Sequence, residues 1–248
     1  MQTAALVLHQ VVKRFGGLHA VDGVSMEVAA GERRVVIGPN GAGKTSLFHC
    51  ISGALQATSG SIRCWGEDIT HLSEHERTHR GVGRTFQISS VFADLTVLEN
   101  IALAVLGVKR DKWSLWRDAL STTHLRQRAA EELERVGLPG KESVPVKLLS
   151  YGERRQLELV LALVNQPRLL LLDEPCAGLS PAERQRLSSI IRELPRSITM
   201  LMIEHDMDIA LALADRVSVL HRGQLMVEGS ADEVQQNPQV REVYFGQV

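Results

Sequence analysis

Val35-Val36-Ile37-Gly38-Pro39-Asn40-Gly41-Ala42-Gly43-Lys44-Thr45 reads as a short apolar strand that runs straight into a glycine-rich turn. The residues after it, Ser46 to Ser52, carry helical spacing and stop at Gly53. A glycine, four residues, then Gly-Lys-Thr is the phosphate-loop pattern. Only a chain without Cβ atoms can turn successive N–H groups inward onto a polyphosphate, and the following helix adds the positive end of its dipole. In such a loop Lys44 reaches the β- and γ-phosphates and Thr45 offers its hydroxyl to Mg²⁺. The alternative is a plain glycine-rich turn. The strand before it and the helix after it favour the phosphate reading.

Length and composition bound the rest. The chain has 248 residues, of which 44% are hydrophobic, 23% charged and 4% aromatic, so it can bury a sizeable core packed with aliphatic side chains. Its net charge of -1 excludes the basic footprint of a nucleic-acid binder. Cys50, Cys64 and Cys176 are an odd set without paired spacing, which argues against a disulfide framework or zinc site. The longest apolar run, Ile101 to Val108, falls well short of the roughly 18 residues of a membrane span. Met1 to His9 lacks a secretory pattern, so the expected location is the cytosol.

Away from the loop the chain alternates. Leu6–Val12 and Val24–Val28 read as strands about the Gly16-Gly17 turn. Ser73 and Glu76 have capping-box spacing before a short helix that Gly81 ends. The middle third, with Thr96–Val108 and then Leu125, Ala129, Leu133 and Val136, reads as helical throughout. Arg168–Asp173 and Ile198–Ile203 are strands around a helix signposted by Ser180-Pro181-Ala182-Glu183, a βαβ unit. A hairpin about His221-Arg222-Gly223 and a short helical tail close the chain.

Leu169 to Asp173 followed by Glu174 delivers two carboxylates at the C-terminal end of a buried strand, where ligands bind in open parallel sheets. Asp173 can hold a metal through water, and Glu174 can orient or deprotonate an attacking water. A strand simply leaving the core would look the same. Ser150-Tyr151-Gly152-Glu153 opens a helix, either as a capping box alone or as a second anion site. Gln87, His205 and Phe15 have no claim from composition: taken singly they read as a loop residue, a structural histidine and a core aromatic. His71, His75 and His79 read as a solvated helix face.

Together and in this order, over essentially the whole chain, these motifs resemble the ATP-binding subunit of an ABC transporter. The resemblance implies an α/β P-loop ATPase fold with a RecA-like, mainly parallel core, an antiparallel β subdomain and a helical subdomain. In a single domain over 1–248, the core and β subdomain would comprise 1–87 and 166–248. The helical part would be 88–165. Gly38, Pro39, Asn40, Gly41, Ala42, Gly43, Lys44, Thr45 and Ser46 would then be the Walker A loop for ATP, with Phe15 stacking on adenine. Gln87 would be the Q-loop, and Thr45, Gln87 and Asp173 would serve Mg²⁺. Glu174 would be the catalytic base and His205 the switch histidine. Ser150, Tyr151, Gly152 and Glu153 would be the signature, acting in trans on ATP held by a second ATP-binding subunit. The partners implied are transmembrane permease subunits and, indirectly, a solute-binding protein, with the chain peripheral on the cytoplasmic face of the membrane. Phe92, beside Val91 and Gln87, is either a docking anchor or a core residue.

Tyr151 stands where many members have glycine, and Ala177-Gly178-Leu179-Ser180 ends without the common aspartate. Both departures look like the branched-chain amino acid importer group, as do Phe15-Gly16-Gly17-Leu18, Gly83-Arg84-Thr85-Phe86-Gln87, Asn237-Pro238 and Tyr244-Phe245-Gly246. The alternatives are transport of urea, amides or lipopolysaccharide, a soluble ABC ATPase, or an unrelated P-loop kinase or GTPase. The second lacks a twin cassette or coiled-coil insertion here. The third leaves the signature and the histidine unexplained.

Overall fold

The computed structural model describes residues 4–85, 91–107 and 123–245. A six-stranded sheet carries the site. Its strands are β3 (Arg33–Ile37), β6 (Val82–Arg84), β7 (Leu169–Asp173), β8 (Thr199–Ile203), β9 (Arg216–His221) and β10 (Gln224–Gly229), in the order β10-β9-β3-β8-β7-β6. All neighbours pair in parallel except β10, which returns antiparallel to β9 through the expected hairpin. A second, antiparallel sheet has the order β2-β1-β4-β5, from β1 (Ala4–Phe15), β2 (Leu18–Ala29), β4 (Ser59–Cys64) and β5 (Glu67–Asp68).

Strand periodicity of two explains how the layers stack. From β3, β7 and β8, Val35, Ile37, Leu170, Leu172, Met200 and Met202 enter one apolar cluster. That cluster also receives helices α3 (Val97–Gly107), α4 (Thr123–Arg135), α5 (Tyr151–Leu163) and α6 (Pro181–Glu193). The alternate residues Val36, Leu169, Leu171, Leu201 and Ile203 face the other cluster, shared with α1 (Lys44–Ser52) and the antiparallel sheet. Burial on both faces is why these strands read as unbroken apolar runs.

Helices α2 (Glu74–His79), α7 (Met207–Leu213), α8 (Ala231–Gln236) and α9 (Pro238–Phe245) complete the described elements. The middle third is not helical throughout. Between α4 and α5 the chain makes a loop with a single 3₁₀ turn at Val146–Leu148 and a bridge from Thr96 to Pro145. Gly137, Pro139, Gly140 and Pro145 supply the breaks. The three cysteines are free and buried, and His71, His75 and His79 are exposed.

Candidate functional site

All five residues of β3 are buried, and its C-terminal end projects the loop 38–43. The glycines there are sterically required. A Cβ on Gly38 would stand 2.3 Å from the Leu220 carbonyl oxygen, and one on Gly43 would stand 2.1 Å from that of Ala20. Gly43 also takes a left-handed φ of 97° directly before α1. The Gly223 amide donates to the Ala42 carbonyl at 2.9 Å, so β2 and the β9–β10 turn brace the loop from behind.

The loop's other side is left open. No side chain caps α1, whereas α2, α5, α6 and α8 each begin with a Ser-x-x-Glu capping box. The first amides of α1 are thus available to an anion. Lys44 curls back over the loop, its Nζ donating to the carbonyls of Gly38 at 2.7 Å and Pro39 at 3.1 Å. Burial pulls its pKa down, against the attraction of Glu174.

Strand β7 ends on Asp173, which is buried, and among the described residues neither of its carboxylate oxygens has a hydrogen-bond partner. Burial pushes this carboxyl above its ordinary range. Arg84 and Arg155 oppose the rise, and Glu174 adds to it. An unpaired buried carboxylate is costly unless a cation reaches it. Its chemistry therefore fits Mg²⁺ held through water, with Thr45, exposed at the start of α1, as the hydroxyl ligand. Among the described residues no three His, Cys, Asp or Glu side chains converge as a metal cluster, so phosphate and water would have to complete the shell.

Glu174 follows in a left-handed conformation, φ 46°, with its amide donating to the Ile203 carbonyl at 3.0 Å. That bond joins β7 to the end of β8 and brings Glu174 beside His205, whose Nδ1 lies 3.6 Å from Glu174 Oε2. The gap is too long for a hydrogen bond, and both groups remain partly open to solvent. Glu204, which the sequence does not single out, is fully buried between them and Cys176. Its Oε1 accepts the Cys176 amide at 3.4 Å, and burial raises its pKa to about 7.

Ser150 caps α5 and forms the capping box with Glu153. The other capping serines are built alike. The Ser73, Ser180 and Ser230 hydroxyls each donate to their own glutamate at 2.6–3.0 Å. Ser150 likewise gives its amide to Glu153 Oε2 at 2.8 Å, accepts the Glu153 amide at 3.2 Å and hydrogen-bonds the Glu153 carboxylate through its side chain, while Lys141 Nζ holds Glu153 Oε1 at 3.1 Å. Among the described residues, the hydrogen bonds of 150–153 run to Ala177, Lys141, Glu183 and neighbours on α5, and none reaches 38–46. The structure therefore places Lys44, Thr45, Asp173, Glu174 and His205 at or just beyond the C-terminal ends of β3, β7 and β8, while the signature is tied to Ala177 and Glu183. Gln87 lies outside the described residues. Phe15 and Phe92 are both exposed, so neither is a core aromatic. Phe15 carries Lys13 Nζ 5.1 Å from its ring centroid.

The ABC transporter family model matches residues 21–177, more than half of the chain. The chain belongs to the ABC transporter family. A second model, branched-chain amino acid ATP-binding cassette transporter, matches residues 224–248 of this cassette. It is 37% identical to the high-affinity branched-chain amino acid transport ATP-binding protein LivG of Salmonella typhimurium and 35% identical to BraF of Pseudomonas aeruginosa, covering 100% of each chain in both cases. Its fold matches a crystal structure titled as the ADP conformation of an ATP-binding cassette of an ABC transporter, with a TM-score of 0.86 and 32% identity over 98% of this chain and 99% of that one. A nucleotide-free cassette matches with the same TM-score and identity, over 98% and 100%. This cassette is an ATP-hydrolysing enzyme of that fold, and no helix among its described residues is long and apolar enough to cross a membrane.

Proposed function

We propose that this chain is the ATP-binding and ATP-hydrolysing subunit that powers uptake of branched-chain amino acids, or a similar small polar solute, through separate permease subunits. The observation that carries the catalytic part is the buried Asp173 carboxylate, unpartnered among the described residues, at the strand end that runs into Glu174, together with the uncapped start of α1. The solute class is supported by the full-length likeness to LivG and BraF and by the C-terminal family match.

In this reading the first amides of α1 and Lys44 hold the ATP phosphates, and adenine stacks on the exposed ring of Phe15. Thr45, Asp173 and Gln87 would hold Mg²⁺, which neutralises charge on the β- and γ-phosphates when bound. Glu174 accepts the proton of the attacking water and His205 contacts the γ-phosphate. Ser150 of a second ATP-binding subunit donates its hydroxyl to the same phosphate, so each site needs two chains. The second subunit is either another copy or a related chain.

The permease would dock in a cleft of about 380 Å³ lined by Phe92, Val91, Leu103, His75 and Asn165, placing the chain on the cytoplasmic face of the membrane. A solute-binding protein would deliver the solute on the opposite side. The test is reconstitution in vesicles with the permease subunits that co-purify with the chain. ATP-driven accumulation of leucine, isoleucine and valine is expected. Accumulation of urea or short amides instead would overturn the solute class, and no ATP hydrolysis would overturn the catalytic assignment.

A further inference from the structure

The signature residues make contacts that capping does not require. Tyr151, half exposed at the first position of α5, donates its hydroxyl to the Ala177 carbonyl at 3.2 Å. Arg155, one turn on, donates Nε to that hydroxyl at 3.3 Å, lays its guanidinium 5.5 Å from the ring centroid, and is itself fixed by Glu158 at 3.0 Å. Gly178, with φ 74°, is the only residue type that fits there without crowding: a Cβ would stand 3.1 Å from the Tyr151 oxygen. The Ala177 amide donates in turn to the Glu174 carbonyl at 3.0 Å.

A second strut runs in parallel. Glu183, whose Oε2 accepts the Ser180 amide at 3.0 Å and the Ser180 hydroxyl at 2.6 Å, also accepts the Gly152 amide. A Cβ on Gly152 would stand 2.4 Å from Glu183 Oε1. Two helix starts, α5 and α6, therefore share one carboxylate. By contrast, the carboxylates of Glu76 and Glu233 close the capping boxes of Ser73 and Ser230.

We propose that Tyr151 and Glu183 latch the signature to the loop 174–180 of the same chain, and that this latch couples the two ATP sites of a working dimer. The inference rests on the reading that the signature acts in trans. Glu174 serves the nucleotide on its own chain, while Ser150 serves the nucleotide on the partner. Through Tyr151–Ala177–Glu174 and Gly152–Glu183–Ser180, a shift of the signature on engaging the partner's γ-phosphate is passed to the backbone that positions Glu174. Tyr151 and Glu183 are positioning residues here. Ser180, in the place of the common aspartate, keeps the capping function and directs Glu183 across to α5. Coupling of this kind is measurable as cooperativity between sites.

The experiment uses the assembled transporter in vesicles, with ATP hydrolysis followed against ATP concentration. Y151F, which removes one hydroxyl and keeps the ring, is expected to lower kcat roughly 2- to 10-fold, the equivalent of one hydrogen bond. The Hill coefficient should fall toward 1, with half-saturation within about twofold of the native value. E183Q should move the same two parameters in the same direction, while E233Q, which alters an unshared capping box, should not. Native kcat and Hill coefficient in both Y151F and E183Q would overturn the latch, as would a loss confined to ATP affinity. A separate arm isolates the underlying reading: if E174Q fails to form an ATP-dependent dimer, the two-chain site falls. If it dimerises while Y151F behaves as native, the latch alone falls.

Discussion

The phosphate loop and the signature both present the start of a helix to an anion, and they are built in opposite ways. Around 38–45 the chain completes its cradle from within: backbone carbonyls of Ala20 and Leu220 stand where Cβ atoms would go, and α1 is left without a cap. At 150–153 the helix is capped by its own box, and its further contacts run through side chains, from Tyr151 to the Ala177 carbonyl, from Lys141 to Glu153 and from Glu183 to Gly152. A site assembled from backbone is rigid before the ligand arrives. One assembled from side chains can be adjusted by a partner. The same contrast separates what one subunit can do alone from what it can do only as a pair.

The deepest break comes from E174Q. Removing a general base costs about 10²- to 10⁴-fold in turnover, whereas the untouched loop should keep ATP bound. Phosphate release and size-exclusion chromatography with ATP check both, and undiminished release would overturn the assignment of the base.

Next comes a pair of glycines. G43A forces a Cβ onto a backbone carbonyl at a left-handed φ, for which a destabilisation of about 2–4 kcal/mol is expected from strain and overpacking. G152A meets only the end of the Glu183 side chain, which can move, and should cost about 1 kcal/mol or less. Urea unfolding of both variants decides, and equal costs would erase the distinction between the two sites. K44A should weaken nucleotide binding by roughly 1.5–3 kcal/mol, the value of a charge-assisted contact. A fluorescent-nucleotide titration reads it directly.

Glu204 supplies a pH test. Burial raises its pKa to about 7 from an ordinary 4.5, so the folded chain holds this proton more tightly than the unfolded chain. Its contribution to stability is present below pH 4.5 and is lost as pH rises toward 7. E204Q should therefore resist urea better than the native chain at pH 8, and the gap should close near pH 5. The smallest effect is expected from S150A: about 1 kcal/mol of stability for the lost cap, with binding to a single chain spared and ATP-driven pairing impaired.

The strand Val35–Ile37, the loop after it, the runs ending at Asp173 and Ile203, and the helix behind Ser180 were legible because each carries its signal within a few residues. Others were not. β4 pairs with β1, which lies far upstream; its Ser61-Ile62-Arg63-Cys64 alternation is too short to stand out beside the Gly60 turn. β6 is three residues long and includes Gly83, so it exists because it can pair with β7. Glu204 reads as a polar exit from a strand, and only the packing of Cys176 and His205 around it reveals its burial. Phe15 looks like core by residue type and is placed outside by a tight turn at a sheet end. In the signature, the capping box was visible from spacing, whereas the bond from Tyr151 to Ala177 joins residues 26 apart.

The cysteines have a practical consequence. All three sulfurs are shielded, and burial keeps them protonated, Cys64 and Cys176 with pKa values of about 11 and Cys50 also raised. Alkylating probes attack the thiolate, so the native chain offers them a silent background. A single reactive handle introduced at an exposed position such as Phe92 or Leu148 would carry a dye or spin label by itself, and approach of neighbouring subunits during turnover would be read without first removing any natural sulfur.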